Sequence, residues 1–152
     1  MFIRNNIKRQ IKLIDGRVFK WKNMNVACAI IRDEFGAILA TQRSSRMTLP
    51  LKWEFPGGKV EDNERFEQTI VREVFEELNL RVSVIEQLPS FSHNYESLTI
   101  TLIPFICKIE EGVIILTEHE AFCWLSPNNL LDLDWAAADI PVAEYYLQTL
   151  KT

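Results

Sequence analysis

The sequence predicts one α/β domain built around a mixed β-sheet. Its 152 residues are enough for a single domain that buries its own core without disulfides or structural metals. Apolar, strand-like segments lie on both sides of one strongly amphipathic segment, an order typical of α/β domains. The composition, 47% hydrophobic and 25% charged with 5 Gly and 6 Pro, excludes disordered, collagen-like and low-complexity chains.

The predicted strands are short apolar segments separated by polar turns. Residues 25–32 are almost continuously apolar, as expected of a strand that is covered on both faces. A turn at residues 33–36 leads into a second strand at residues 37–43, which predicts a hairpin. Further strands are predicted at residues 82–85, 98–109 and 121–125.

The segment 64–78 is the clearest predicted helix. At 100° per residue one arc of this helix is apolar and is expected to be buried; its members are Ile70, Val71, Val74, Phe75 and Leu78. Glu73, Glu76 and Glu77 project from a different arc. A helical turn after Ser126 and a final helix at residues 141–150 complete the predicted domain.

The charge is distributed unevenly along the chain. Residues 1–22 contain seven basic residues and one acidic residue, so they carry +6 while the remaining 130 residues carry −10. We therefore divide the chain into a basic extension at residues 1–23, with one strand around residues 18–21, and a domain at residues 24–152. Three interpretations of the extension stay open: a contact with nucleic acid or a partner, a mitochondrial presequence, or a start codon placed ahead of Met24.

Composition also restricts the compartment and the partners. No apolar run is long enough for a secretory signal or a membrane span, so no membrane association is expected. The net charge of −4 argues against a stable nucleic-acid partner. Cys28, Cys107 and Cys123 are odd in number and lie in apolar stretches, which indicates reduced thiols in a cytoplasmic protein.

The glutamates of the predicted helix form a candidate metal site. Glu73, Glu76 and Glu77 stand three and four residues apart, so their carboxylates converge within one turn and repel one another. A hard divalent cation compensates such a cluster, and Mg²⁺ suits it because Mg²⁺ accepts a few carboxylates and bridges phosphates. Arg72, four residues before Glu76, is expected to orient that carboxylate. The alternative is an ordinary solvated face of a helix.

The wider pattern around this helix resembles the signature of the Nudix hydrolases. That signature is Gly, five residues, Glu, seven residues, Arg-Glu, an aliphatic residue, any residue, Glu-Glu, any residue, Gly and an aliphatic residue. The positions that match are Gly58, Glu64, Arg72, Glu73, Val74, Glu76, Glu77 and Leu80. The one departure is Asn79 in place of glycine, and asparagine is the best substitute in the left-handed conformation that ends a helix.

Further features resemble the MutT-like branch of that family, which hydrolyses nucleoside triphosphates. The segment that enters the signature matches the part of the branch that lies beside the nucleotide; its residues are Glu54, Phe55, Pro56, Gly57 and Gly58. Arg43 matches an arginine that contacts phosphate, with a plain surface arginine as the alternative. Glu118, in a loop six residues before Trp124, matches an acidic residue that supports metal binding or acts as a base.

Asp139 matches the position that contacts the edge of the base in this branch. Its alternative role is the N-cap of the final helix, since it lies two residues before Pro141. An ionised carboxylate accepts hydrogen bonds, which favours guanine or cytosine over thymine.

The resemblance implies a Nudix fold, an α/β/α sandwich with a mixed central sheet, over residues 24–150. It also implies a Mg²⁺-dependent (or Mn²⁺-dependent) nucleoside triphosphate pyrophosphohydrolase that serves DNA repair by removing 8-oxo-dGTP or by acting on CTP or dCTP derivatives. Metal ligands are expected at Glu73, Glu76, Glu77, Glu118 and the Gly57 carbonyl, and the base is expected to be Glu73 or Glu118. The alternatives are a different nucleoside diphosphate substrate, such as ADP-ribose or a dinucleoside polyphosphate, and a sensing module without catalysis. The oligomeric state, monomer or homodimer, stays open.

Overall fold

A long pair of parallel strands forms the centre of the sheet. The structure is a computed structural model that describes residues 10–14 and 17–152. Strand β2 (Arg17–Arg32) pairs in parallel with β8 (Leu98–Glu111), and their register runs from Lys22 opposite Leu98 to Arg32 opposite Lys108. Eleven consecutive paired positions make these two strands the frame on which the rest of the domain is arranged.

Five further strands pair with β2 or β8 and two pair with β3, all in antiparallel orientation, so the sheet is mixed, as predicted. They are β1 (Gln10–Ile14), β3 (Ile38–Gln42), β4 (Trp53–Glu54), β5 (Gly57–Lys59), β6 (Arg81–Gln87), β7 (Phe91–Tyr95) and β9 (Ala121–Leu125). Strands β1, β4, β5 and β7 are absent from the sequence-based prediction. None of the residues of β4, β5 and β7 is fully buried, so these three strands lack the apolar run by which a strand is recognised.

Helices cover both faces of the sheet. Alternate residues of β2 point to opposite faces, so that Cys28 and Ile30 belong to one hydrophobic cluster while Ala29 and Ile31 belong to the other. Helix α1 (Phe66–Leu78) covers the second face. Helix α2 (Ile140–Thr149) and a 3₁₀ helix at Pro127–Asp132 cover the first. The predicted α/β/α sandwich is therefore confirmed.

Helix α1 ends where the sequence predicts. Asn79 adopts the left-handed conformation with φ 58°, and its backbone N–H donates to the Phe75 carbonyl over 2.9 Å. The helix starts at Phe66, two residues later than predicted, and the Arg65 N–H donates to the Gln68 Oε1 over 2.8 Å. Asn79 thus adopts the left-handed conformation that glycine usually supplies at the end of a helix.

The buried face of α1 differs from the predicted arc. Val71 and Phe75 are each 44% exposed, whereas Glu77 is only 9% exposed. The sheet contacts a narrow stripe centred between Ile70 and Val74, so the far edge of the apolar arc remains at the surface and Glu77 turns towards the sheet. The Phe75 ring instead lies under the Arg81 guanidinium at 5.0 Å.

The first strand begins earlier than residue 25. Strand β2 starts at Arg17 and runs without a break through the predicted boundary at residues 23 and 24. Its first five residues form a hairpin with β1, from Gln10 opposite Trp21 to Ile14 opposite Arg17. The strand predicted around residues 18–21 is therefore part of β2. The basic residues Arg4, Lys8 and Arg9 lie outside the described residues.

The cysteines and the helices bear on two further predictions, reduced thiols and the absence of a membrane span. Cys28, Cys107 and Cys123 are all free thiols; the first two are buried, as expected of such thiols, whereas Cys123 is half-buried. Among the described residues, no helix is long and apolar enough to cross a membrane.

Candidate active site

The carboxylates of helix α1 differ sharply in their surroundings. The side chain of Glu76 is 58% exposed, that of Glu73 is 16% exposed and that of Glu77 is 12% exposed. Of these three carboxylates, the helix therefore presents one to solvent and holds two close to the sheet.

Arg72 binds three carboxylates at once. Its Nε donates to Glu64 Oε2 over 2.7 Å and its Nη2 donates to Glu64 Oε1 over 3.0 Å. Its Nη1 lies 2.7 Å from Glu73 Oε1 and 3.3 Å from Glu76 Oε2. The sequence predicts that Arg72 orients Glu76, but the shorter contacts are to Glu64 and Glu73. The Arg72 hydrogen bonds lower the pKa of Glu64 to about 2, so Glu64 is a firmly ionised anchor for the guanidinium.

Glu77 has little compensation for its charge. Burial, followed by the neighbouring charges of Glu73 and Glu54, raises the pKa of Glu77 to about 9, and the Gly57 N–H opposes this shift only over a long 3.4 Å contact. Burial also raises the pKa of Glu73, against the lowering effect of Arg72. This part of the site is therefore short of positive charge.

The glycines of β5 allow the backbone to pass between β2 and α1. A Cβ on Gly57 would lie 2.0 Å from the Ala27 carbonyl oxygen, and a Cβ on Gly58 would lie 2.3 Å from the Glu73 Cδ. Gly57 pairs with Cys28 and Gly58 pairs with Ala27. Because any side chain would force these elements apart, the double glycine sets the distance between the sheet and helix α1.

A cavity of about 440 Å³ opens beside these glycines, a volume within the usual range for small-molecule sites. Its floor is formed by Val26 and Cys28 of β2 and by Ile100 and Leu102 of β8. It brings together most of the predicted site residues, namely Arg43, Glu54, Phe55, Gly57, Gly58, Glu77, Glu118 and Asp139.

The remaining predicted site residues lie outside this cavity. Glu73 lines a second cavity of about 440 Å³ together with Lys59, Glu61 and Asp62. Pro56, Arg72 and Glu76 line neither of the two cavities. Glu73 and Glu77 thus line different cavities, although the charge of Glu73 still acts on Glu77.

Asp139 is buried at the wall of the first cavity. It is 5% exposed, and its Oδ1 accepts the backbone N–H of Phe55 over 3.0 Å. It occupies the N-cap position of α2, but its side chain makes no hydrogen bond to that helix, so the alternative capping role is wrong for the side chain. Burial raises the pKa of Asp139 to about 8. At neutral pH this group carries a proton and can donate as well as accept.

Arg43 directly follows β3 and is held from two sides. Its Nε and Nη2 donate to the Thr48 carbonyl and hydroxyl over 2.6 and 3.0 Å. Its Nη1 donates to Glu54 Oε2 over 2.7 Å. The guanidinium is therefore fixed at the cavity wall and is not a freely moving surface arginine.

His119 is the main site residue that the sequence-based prediction missed. Its imidazole is 2% exposed, with Nε2 3.0 Å from Glu54 Oε1 and Nδ1 4.0 Å from Glu77 Oε2. No metal-ligand spacing marks this residue, because its partners are distant in sequence. Its position next to Glu118 was the one available signal.

The loop that carries Glu118 and His119 is attached to the end of helix α1. The last carbonyls of a helix lack partners within it, and here the loop supplies the donors. The Ile115 N–H binds the Leu78 carbonyl over 3.0 Å, and the Thr117 hydroxyl binds the Glu76 carbonyl over 3.0 Å. Glu118 is thereby brought to the cavity while its own side chain stays exposed.

Within the described part of the chain, no three acidic, histidine or cysteine side chains already converge as a metal site. Arg72 holds the carboxylates of Glu73 and Glu76 on its own guanidinium. A cation at these carboxylates would take over interactions that Arg72 now supplies.

Comparison with known proteins identifies the family. A model of the NUDIX domain matches residues 22–146. A CTP pyrophosphohydrolase from Escherichia coli K12 is 36% identical over 126 residues, which cover 83% of this chain and 93% of that protein. An 8-oxo-dGTP diphosphatase from Proteus vulgaris is 34% identical over 102 residues, which cover 67% and 89%.

Solved structures agree with this result. A MutT protein of the Nudix hydrolase family from methicillin-resistant Staphylococcus aureus 252 is 40% identical, with a TM-score of 0.69 over 85% of this chain and 98% of that one. A MutT protein from Methanosarcina mazei shares the fold at a TM-score of 0.78 and 24% identity, over 87% and 98%. The chain therefore belongs to the Nudix family and is a hydrolase of the MutT type.

Proposed function

We propose that this protein is a Mg²⁺-dependent nucleoside triphosphate pyrophosphohydrolase that produces a nucleoside monophosphate and pyrophosphate. One observation carries the proposal: a single cavity is bordered by the buried Phe55 and Asp139 and by the carboxylates of Glu77 and Glu118. An aromatic ring with a buried acid suits a base, and clustered carboxylates suit a metal-bound phosphate chain.

The residues present fit a magnesium ion. The donors are carboxylate oxygens, and the raised pKa of Glu77 reflects an uncompensated charge that a divalent cation would balance. Glu73, Glu76, Glu77, Glu118 and the Gly57 carbonyl would hold the ion, with Mn²⁺ as a substitute. When bound, Mg²⁺ neutralises phosphate charge and lowers the pKa of bound water. Arg72 would release Glu73 and Glu76 to the ion while Glu64 continues to anchor its guanidinium.

The attacking water needs a base, and two residues are candidates. The side chain of Glu73 is 16% exposed, and burial raises its pKa above the ordinary value, a shift in the direction that favours a general base. Glu118 is exposed on its loop at the edge of the nucleotide cavity. Arg43 would bind the phosphate chain, since its guanidinium is fixed at the cavity wall.

The substrate we propose is an oxidised purine or a cytosine nucleotide, for example 8-oxo-dGTP, CTP or a modified dCTP. The names of the relatives from Proteus vulgaris and Escherichia coli support both. Asp139 would bind the edge of the base through the oxygen that Phe55 leaves free. Because the raised pKa of Asp139 leaves it protonated at neutral pH, the expected preference over thymine, which depends on an ionised carboxylate, does not follow from this residue. The choice of base in this proposal is therefore supported by the names of the relatives.

A substrate panel tests the proposal. The panel contains the normal ribo- and deoxyribonucleoside triphosphates, 8-oxo-dGTP, oxidised dCTP derivatives and ADP-ribose, each with Mg²⁺, and kcat/KM is measured for each. We expect 8-oxo-dGTP or a cytosine nucleotide to exceed the other triphosphates at least about tenfold, as one well-placed polar contact allows. Preference for ADP-ribose over every triphosphate would contradict the proposal.

A further inference from the structure

We propose that His119 is a positioning residue that fixes Glu54 and, through Glu54, the guanidinium of Arg43 towards the phosphate chain of the substrate. This inference rests on the proposed function for the identity of the substrate. The contacts that carry it join three parts of the chain, the loop before β9, strand β4 and the residue after β3.

The chain of contacts is continuous from His119 to Arg43. The His119 Nε2 lies 3.0 Å from Glu54 Oε1, and the other Glu54 oxygen lies 2.7 Å from Arg43 Nη1. A carboxylate oxygen accepts, so we assign the ring proton to Nε2. Glu54 is thus held by a donor on each oxygen, which restricts its rotation about the side-chain bonds.

Burial makes this arrangement rigid. The side chains of Glu54 and Arg43 are each 20% exposed, and that of His119 is 2% exposed. A hydrogen bond to a charged group is stronger when water is largely excluded. Thr48 binds Nε and Nη2 of Arg43, and Glu54 binds the third nitrogen, Nη1.

The other ring nitrogen has no such role. Among the residues that the structure describes, the His119 Nδ1 has no hydrogen-bond partner; it stands 4.0 Å from Glu77 Oε2, beyond hydrogen-bond distance. The effect of His119 therefore passes to the nucleotide side of the site rather than to the carboxylates of helix α1. Loss of the His119 contact is therefore expected to change KM, because Arg43 binds the substrate. It is expected to leave the Mg²⁺ requirement unchanged, because that depends on Glu77.

Two amide variants separate the two nitrogens. The amide of His119→Gln reaches the place of Nε2, whereas the shorter amide of His119→Asn reaches only the place of Nδ1. We expect His119→Gln to keep KM for the triphosphate within about threefold, and His119→Asn to raise KM about tenfold with kcat within about threefold. The Mg²⁺ concentration for half-maximal activity is expected to stay unchanged in both. The control is Glu120→Gln, an exposed neighbour on the same loop, which should behave as the wild type.

A double-mutant cycle tests the path through Arg43. Arg43→Ala alone raises KM, and adding His119→Asn to it should raise KM no further, because the two changes remove one interaction. Additive effects, or a His119→Asn variant that loses kcat and needs more Mg²⁺ while KM stays constant, would overturn the inference. Thermal unfolding of each variant separates these outcomes from a loss of fold.

A substrate-free measurement keeps this inference distinct from the proposed function. In the metal-free wild type, ¹⁵N NMR of the imidazole should show a proton on Nε2, and the Arg43 guanidinium protons should exchange more slowly than in His119→Asn. If no triphosphate is hydrolysed but these signals appear, the proposed function fails and the contact stands. If turnover occurs and the ring is protonated on Nδ1 alone, only the role of His119 fails.

Discussion

Gly58 lies directly against the carboxyl group of Glu73. A Cβ on Gly58 would be 2.3 Å from the Glu73 Cδ and 2.6 Å from both of its carboxylate oxygens. Strand β5 and helix α1 therefore meet at a point where no side chain fits. The position of the Glu73 carboxylate is therefore set by two contacts: the backbone at Gly58 and the hydrogen bond from Arg72.

Gly58→Ala is expected to displace Glu73. The added methyl group forces the carboxylate to rotate away, so we expect kcat to fall at least about tenfold, as a shift of about 1 Å in a catalytic group can cost more than that. The control is Gly36→Ala, at φ 84° and with no atom of the described residues within 4 Å of the added Cβ. It is expected to cost about 1–2 kcal/mol of stability and to leave kcat intact. Equal activity in the two variants would show that the contact does not place Glu73.

Glu76→Gln and Glu77→Gln test the metal assignment. Each removes a charge from the proposed cation site, so we expect kcat to fall by about 100-fold or more and the Mg²⁺ requirement to rise. Glu67→Gln, on the exposed first turn of the same helix, serves as the matched control. Activity within a few-fold of the wild type in both site variants would refute the assignment.

Glu64→Gln is expected to destabilise the protein above pH 5. The folded pKa of about 2 lies below the ordinary value of 4.5, so the carboxylate stabilises the fold fully above pH 4.5 and loses that effect as the pH falls towards 2. Urea unfolding at pH 7, 5 and 3 should show a loss of about 1–3 kcal/mol at pH 7 that shrinks at pH 3. Glu111→Gln, which breaks an exposed pair with Arg81, should change stability little at any pH. A loss for Glu64→Gln that is independent of pH would contradict the contribution of the ion pair.

Asp139→Asn is expected to gain stability relative to the wild type as the pH rises, which is the opposite of the trend for Glu64→Gln. The folded pKa of about 8 lies above the ordinary 3.8, so the folded wild type binds a proton that the unfolded chain releases, and its stability falls as the pH rises from 4 to 8. The amide does not ionise, yet its oxygen can still accept the Phe55 N–H. The difference in free energy of unfolding, variant minus wild type, should therefore grow from pH 4 to pH 8. A constant difference would show that Asp139 is ionised in the fold.

Features that depend on neighbouring residues could be predicted from the sequence. The boundary of helix α1 at Asn79 follows from local backbone preference, and the mixed sheet follows from the order of apolar segments. The carboxylates of Glu73, Glu76 and Glu77 follow from the spacing along one helix. Arg43, Glu118 and Asp139 came from the family resemblance, and the structure places all three at one cavity.

Features that depend on distant pairs could not be predicted. Asp139 binds Phe55 across 84 positions, and His119 binds Glu54 across 65. Neither periodicity nor spacing reports which loops meet across a sheet. The burial of Glu77 and the exposure of Val71 have the same origin, because the sheet, rather than the helix, decides which stripe of α1 is covered.

The most direct test of the central claim is the product stoichiometry of the wild-type protein with 8-oxo-dGTP and CTP. With Mg²⁺ we expect one monophosphate and one pyrophosphate for each triphosphate consumed, no release of orthophosphate, and loss of all activity on removal of the metal with EDTA. Orthophosphate with a nucleoside diphosphate as products, or no turnover of any triphosphate in the presence of Mg²⁺, would contradict the account.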